Sequence, residues 1–105
     1  MQSTLDEWQA KDFEDFIAKK GSGVVEFGAP WCGACKASEP QIASLVGDYE
    51  KMVFAKIDVG KNSPLAAKMG VMSLPNVIIF KEGRVKEQMI GAVTAKVLGA
   101  KLAKI

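Results

Sequence analysis

Hydrophobic positions along the chain fall into two rhythms. Over residues 9–20, Phe13, Phe16 and Ile17 stand at i, i+3 and i+4 with charged residues between them, which predicts an amphipathic helix closed by Gly21 and Gly23. The run GVVEFG, residues 23–28, is almost wholly apolar and bounded by glycines, the pattern of a strand buried on both faces. Ile42, Leu45, Val46 and Tyr49 return to helical spacing, so a helix is expected over about residues 32–49. Pro40 should kink it near Lys36, because proline lacks an N–H and collides with the carbonyl four residues back. MVFAKIDV, residues 52–59, reads as a second strand. SPLAAKMG, residues 63–70, reads as a short helix with Ser63 as N-cap, Pro64 at the first helical position and Gly70 at its end. NVIIF, residues 76–80, is a third buried run, joined through the turn KEGR to VKEQMI, residues 85–90, as an antiparallel hairpin. Thr94 can cap a last helix whose Val97, Leu98, Lys101 stem and Leu102 line one face, weakened by Gly99, which costs about 1 kcal/mol relative to alanine.

Helices thus alternate with buried strands before a terminal hairpin and helix. That order predicts an α/β fold: a central mixed β-sheet flanked by helices on both faces. With 105 residues, 49% of them hydrophobic, the chain suits a single domain with one core over residues 1–105.

Charge narrows the function classes. The formal net charge is +2, and acids and bases are interspersed without a basic block, which is not the footprint of a nucleic-acid binder. The opening MQSTLDEWQAKDFEDF carries acids where a signal peptide carries bases, and no segment approaches the roughly 18 apolar residues of a membrane span. A soluble, cytoplasmic protein is expected, although a removed transit peptide would leave no trace. Histidine is absent, which excludes Ser-His and Cys-His nucleophilic pairs and histidine-ligated metals.

Both cysteines fall in FGAPWCGACK, residues 27–36. Two are too few for a disulfide framework. A zinc site needs four ligands and would require a second chain, and Lys36 stands where haem attachment would need histidine. Cβ atoms at i and i+3 of a helix lie about 5–6 Å apart. A disulfide wants about 3.5–4.5 Å, so a slightly tightened first turn brings the pair within bonding reach. Cys32 falls at the helix start, where free backbone N–H groups and the positive dipole end lower a thiol pKa. Cys35 lies one turn deeper. Cys32 is therefore expected to be the exposed thiolate nucleophile and Cys35 the buried thiol that attacks second.

WCGAC at 31–35 after a VVEF strand, Pro40 in the following helix, SLP at 73–75, the FKEG turn and Gly91-Ala92 together resemble the thioredoxin family over nearly the whole chain. The resemblance implies the thioredoxin fold and a protein dithiol–disulfide oxidoreductase. Such a protein uses a reversible Cys32–Cys35 disulfide, without a bound cofactor or metal. It implies disulfide-containing target proteins and a thioredoxin reductase as partners, and a monomer. Glu26 matches the family's buried acid, usually aspartate, which exchanges a proton with the second cysteine, here Cys35. Lys56 matches the lysine that tunes that acid. Pro75 matches a cis-proline, with Leu74 offering backbone groups to an extended substrate. Trp31, Gly33, Ala34, Met72, Leu74, Gly91, Ala92 and Val93 would complete a flat apolar docking surface. Met72 and Val93 fit ordinary partial burial equally well.

Two positions depart from the family pattern. Gly28 replaces a tryptophan or similar bulk, which predicts looser packing beneath the motif. Ala34 replaces the proline of WCGPC, restoring a backbone N–H near the Cys32 sulfur. A more stable thiolate raises the potential, so the protein should be less reducing than the thioredoxin value of about −270 mV, yet far from the about −120 mV of a dedicated oxidant. Other readings of the same pair are a glutaredoxin-like or disulfide-forming role, and a binding scaffold with its chemistry idle.

Overall fold

A computed structural model describes residues 5–105. Residues 1–4, which open the stretch read as lacking a leader pattern, lie outside them. The elements run β1 (Asp6–Trp8), α1 (Ala10–Ala18), β2 (Gly23–Gly28), α2 (Gly33–Ala43), a 3-10 turn (Val46–Asp48), β3 (Val53–Asp58), α3 (Ser63–Lys68), β4 (Asn76–Lys81), β5 (Arg84–Ile90) and α4 (Ala95–Leu102). One five-stranded sheet has the order β1-β3-β2-β4-β5. β2 pairs parallel with β3 and antiparallel with β4, which in turn pairs antiparallel with β5.

Alternation along β2 divides the interior. Val25 and Phe27 face α1 and α3, joining Phe13, Phe16, Ile57, Leu65, Ile78 and Phe80 in one cluster. Within it Phe13 and Phe16 meet Phe80 edge-on, with ring centroids 5.5 and 5.7 Å away. Edge-on contact suits the ring quadrupoles and adds about 0.5–1.5 kcal/mol per pair to the burial itself. Val24 faces the other way, into a cluster with Ile42 and Ala43 of α2 and Leu98 and Leu102 of α4. Helices therefore cover both faces, and Glu26, two residues after Val24, points into the α2 side.

Several boundaries differ from the sequence expectation. β1 has no counterpart in it: three residues, two of them exposed, carry no period-2 signal, and the strand is held by parallel pairing to β3. α2 ends at Ala43 rather than running on to residue 49. There Ser44 donates its hydroxyl to Gln41 C=O at 2.7 Å, and the chain tightens into i→i+3 bonds from Leu45 N–H to Ile42 C=O and from Asp48 N–H to Leu45 C=O. The residue with positive φ after α1 is Lys20, not Gly21. Asn62, not Ser63, is the N-cap of α3, and Pro64 is the second helical residue. The Asn62 side chain accepts from Ala10 N–H at 2.9 Å and donates to Asp58 C=O at 3.0 Å, tying the end of β3 to the start of α1. In α4, Thr94 caps through Val97 N–H at 3.2 Å as its position predicts, but Val97 is exposed and the buried face is Leu98 and Leu102. The hairpin turns through Glu82 and Gly83, both with positive φ, the requirement of a tight type I′ turn.

Candidate active site

β2 ends at Gly28, and a short loop delivers the chain to α2 with Cys32 at its N-cap in extended conformation. Cys32 and Cys35 are joined by a disulfide, with Cα atoms 5.3 Å apart. The N-cap role that a serine hydroxyl usually fills is taken by sulfur: Cys32 Sγ accepts from Cys35 N–H at 3.1 Å. The donor is the amide of Cys35 rather than that of Ala34. Cys35 is fully buried, and Cys32, at 8% exposure, is less open than expected although it is the outer of the two. An incoming thiolate therefore meets Cys32 first.

Three further elements converge on this disulfide. Leu74 packs against the cluster of Ala29, Cys32 and Cys35. The Leu74–Pro75 peptide is cis. Gly91, with φ of 98°, donates its N–H to Pro75 C=O at 2.8 Å, which brings the end of β5 to the same rim. Trp31 and Met72 are exposed at 78% and 94%, and Gly33, Ala34 and Ala92 are also exposed. Val93 belongs elsewhere: it is buried in the core, and its N–H donates to Ser38 Oγ at 3.0 Å.

Beneath the disulfide lies Glu26, with no exposed surface and no hydrogen-bond partner on either carboxylate oxygen. Burial pushes its pKa from 4.5 up to about 9. The nearby Glu39 carboxyl pushes the same way, and the Lys56 ammonium opposes it more weakly. Lys56 is the register partner of Glu26 across β2 and β3, yet its ammonium contacts Glu39 Oε1 at 3.3 Å. Sequence reasoning missed Glu39. Cys35, Glu39 and Ile42 stand at i, i+4 and i+7, so helical spacing alone places this acid on the buried side of α2.

Gly28 is not loosely packed. A Cβ there would lie 2.9 Å from Cys35 Sγ and 3.6 Å from Glu26 Cδ, so its missing side chain is what admits both groups to one spot. Open space begins beside it, in a cleft of about 280 Å3 lined by Glu26, Gly28, Lys36, Glu39, Lys56 and Asp58 among others. Among the described residues, no group of three or more histidine, cysteine or acidic side chains is arranged to hold a metal ion.

A reversible disulfide at a strand-to-helix junction, one sulfur at the helix start and the other buried over an acid, defines a dithiol–disulfide oxidoreductase. The comparisons agree. A family model for thioredoxin matches residues 4–104. Thioredoxin 2 of Chlorobaculum tepidum is 41% identical over 80 residues, which cover 75% of this chain and 73% of that protein. Thioredoxin of Staphylococcus epidermidis is 45% identical over 80 residues, covering 73% and 77%. Among solved structures, thioredoxin of Fasciola hepatica superposes with a TM-score of 0.84 at 30% identity, covering 95% of this chain and 98% of that one. The thioredoxin of Trypanosoma brucei brucei superposes with a TM-score of 0.85 at 28% identity, covering 99% and 92%. The chain belongs to the thioredoxin family. It is a thioredoxin-type dithiol–disulfide oxidoreductase whose redox group is the Cys32–Cys35 disulfide. No helix among the described residues is long and apolar enough to cross a membrane.

Proposed function

We propose that the chain, as one monomeric cytoplasmic domain, reduces disulfides in target proteins and is returned to the dithiol by a thioredoxin reductase. The Cys32 thiolate attacks one sulfur of the target disulfide, forming a mixed disulfide and releasing the first target thiolate. The Cys35 thiol then passes its proton to the Glu26 carboxylate. The resulting Cys35 thiolate attacks Cys32 Sγ, closing the Cys32–Cys35 bond and releasing the second target thiolate. Two electrons have moved to the target, and the proton rests on Glu26. On recycling the order reverses, with Glu26 returning that proton to Cys35 as reductant thiolates open the bond.

The observation that carries this reading is the asymmetry of the pair: Cys32 caps the helix at the surface side while Cys35 is fully buried above Glu26. Lys56 tempers Glu26 through its charge. Leu74 and Pro75 offer an extended backbone edge to the target, and Trp31, Gly33, Ala34, Met72, Gly91 and Ala92 supply the surrounding contact surface. Turbidimetric reduction of insulin by dithiothreitol, with and without the protein, tests the activity. Acceleration that disappears with Cys32→Ser supports the reading, and no acceleration by the intact protein refutes it.

A further inference from the structure

Lys56 and Glu26 are direct neighbours on adjacent strands and point to the same side of the sheet. An ammonium and a carboxyl so placed would ordinarily pair. They do not: both Glu26 oxygens are unpartnered, and the Lys56 ammonium reaches up to Glu39 on α2 instead. That contact is part-buried, at 32% and 22% side-chain exposure, so solvent screens it less than a surface pair. Other charges line the cleft: Glu7 from β1, Lys36 from α2, Asp58 from β3 and Lys61 just beyond it. Asp58 offers its carboxylate to Gly60 N–H, and Lys61 sits near Glu7.

We propose that Glu39 is a positioning residue for the proton step: it holds the Lys56 ammonium at the cleft, away from the Glu26 carboxyl, so that Glu26 serves Cys35 as a neutral acid rather than as half of an ion pair. The inference rests on Glu26 being the group that exchanges a proton with Cys35. In the oxidised protein Glu26 then carries the proton that Cys35 takes up when a reductant dithiol opens the disulfide. Were Lys56 free to swing to Glu26, the carboxylate would be stabilised as an anion and the proton would be lost to solvent before reduction. Glu39 also contributes its own negative charge to the same end.

Infrared spectroscopy of the oxidised protein across pH tests this. The carboxylic-acid C=O band of Glu26 is assigned by its loss in Glu26→Gln. Glu39→Gln, which keeps the shape and removes the charge, should lower the pH midpoint of that band by about one unit or more. Lys56→Gln should move it the opposite way. Opposed shifts are not produced by a residue that merely supports the fold. An unmoved midpoint in Glu39→Gln, or shifts of the same sign in the two variants, overturns the role of Glu39. The rate at which dithiothreitol reduces the disulfide, followed against pH in Glu26→Gln, tests the reading beneath it. A profile identical to the unmodified protein removes Glu26 from the proton step, and the inference falls with it.

Discussion

Cys35 Sγ lies 2.9 Å from the point at which a Cβ on Gly28 would stand. Real Cβ contacts are not that short, and the obstructing atom is fixed in a disulfide rather than at the end of a free side chain. Gly28→Ala should therefore force the strand end and the helix start apart. A loss of about 1–3 kcal/mol is expected in the oxidised protein, the usual range for overpacking. Denaturant unfolding of the oxidised variant measures it, and unchanged stability would contradict the close approach.

The two cysteines should fail differently. Cys32→Ser removes the outer nucleophile and should abolish insulin reduction. Cys35→Ser leaves attack intact but removes resolution, so the variant should accumulate as a mixed disulfide with its target, visible by mass spectrometry as a covalent adduct released by dithiothreitol. Accumulation of the adduct by Cys32→Ser instead would reverse the assignment.

Glu26 makes stability fall on the alkaline side. Its pKa in the folded oxidised protein is about 9 against an ordinary 4.5, so the folded state binds the proton more tightly than the unfolded chain. The stabilisation this gives is whole below about pH 4.5 and is lost as pH rises toward 9. The slope approaches at most about 1.4 kcal/mol per pH unit in that window. Glu26→Ala should flatten the profile, as judged from guanidinium unfolding at pH 5, 7 and 9. Parallel profiles for the two proteins would show that Glu26 does not titrate in this way.

In the oxidised protein the sulfur that caps α2 accepts from Cys35 N–H, and the further N–H that Ala34 keeps in the first turn is expected to serve the Cys32 thiolate of the reduced protein. Ala34→Pro removes that N–H and should make the protein more reducing by roughly 30 mV, equivalent to tenfold in the equilibrium with a reference dithiol. The unmodified protein should sit above about −270 mV. Equilibration against glutathione buffers reads both numbers, and a variant that becomes more oxidising would reject the role given to the amide.

Asn62 is buried at the junction of β3, α3 and α1, with its side chain bonded to Ala10 N–H and Asp58 C=O. Asn62→Ala removes the acceptor of Ala10 N–H, while Asp58 C=O keeps the amides of Lys61 and Asn62, and should cost about 1–3 kcal/mol without changing the pH at which Glu26 titrates. Thermal unfolding and the infrared midpoint together separate this structural role from a catalytic one.

Much of this was legible in the sequence, for identifiable reasons. Buried strands such as GVVEFG and NVIIF announce themselves because both faces are apolar, and a helix start next to CxxC fixes which sulfur is outermost. β1 escaped because its residues are mostly exposed and its stability comes from pairing with β3, a partner about fifty residues away. The end of α2 escaped because one side-chain hydrogen bond from Ser44 competes with the helix ladder, which spacing of apolar residues does not register. Glu26 could be singled out as a costly buried acid and Lys56 as its neighbour, but the acid that holds that lysine could not. Strand register points from Glu26 to Lys56, and only the tertiary placement of α2 reveals that Glu39 takes the lysine.

Val93 N–H bonded to Ser38 Oγ, with Gly91 N–H bonded to Pro75 C=O, fastens the loop before α4 at two points that touch neither sulfur. The loop is thereby positioned from α2 and from Pro75 rather than by the disulfide itself, so opening the Cys32–Cys35 bond leaves both of its anchors in place.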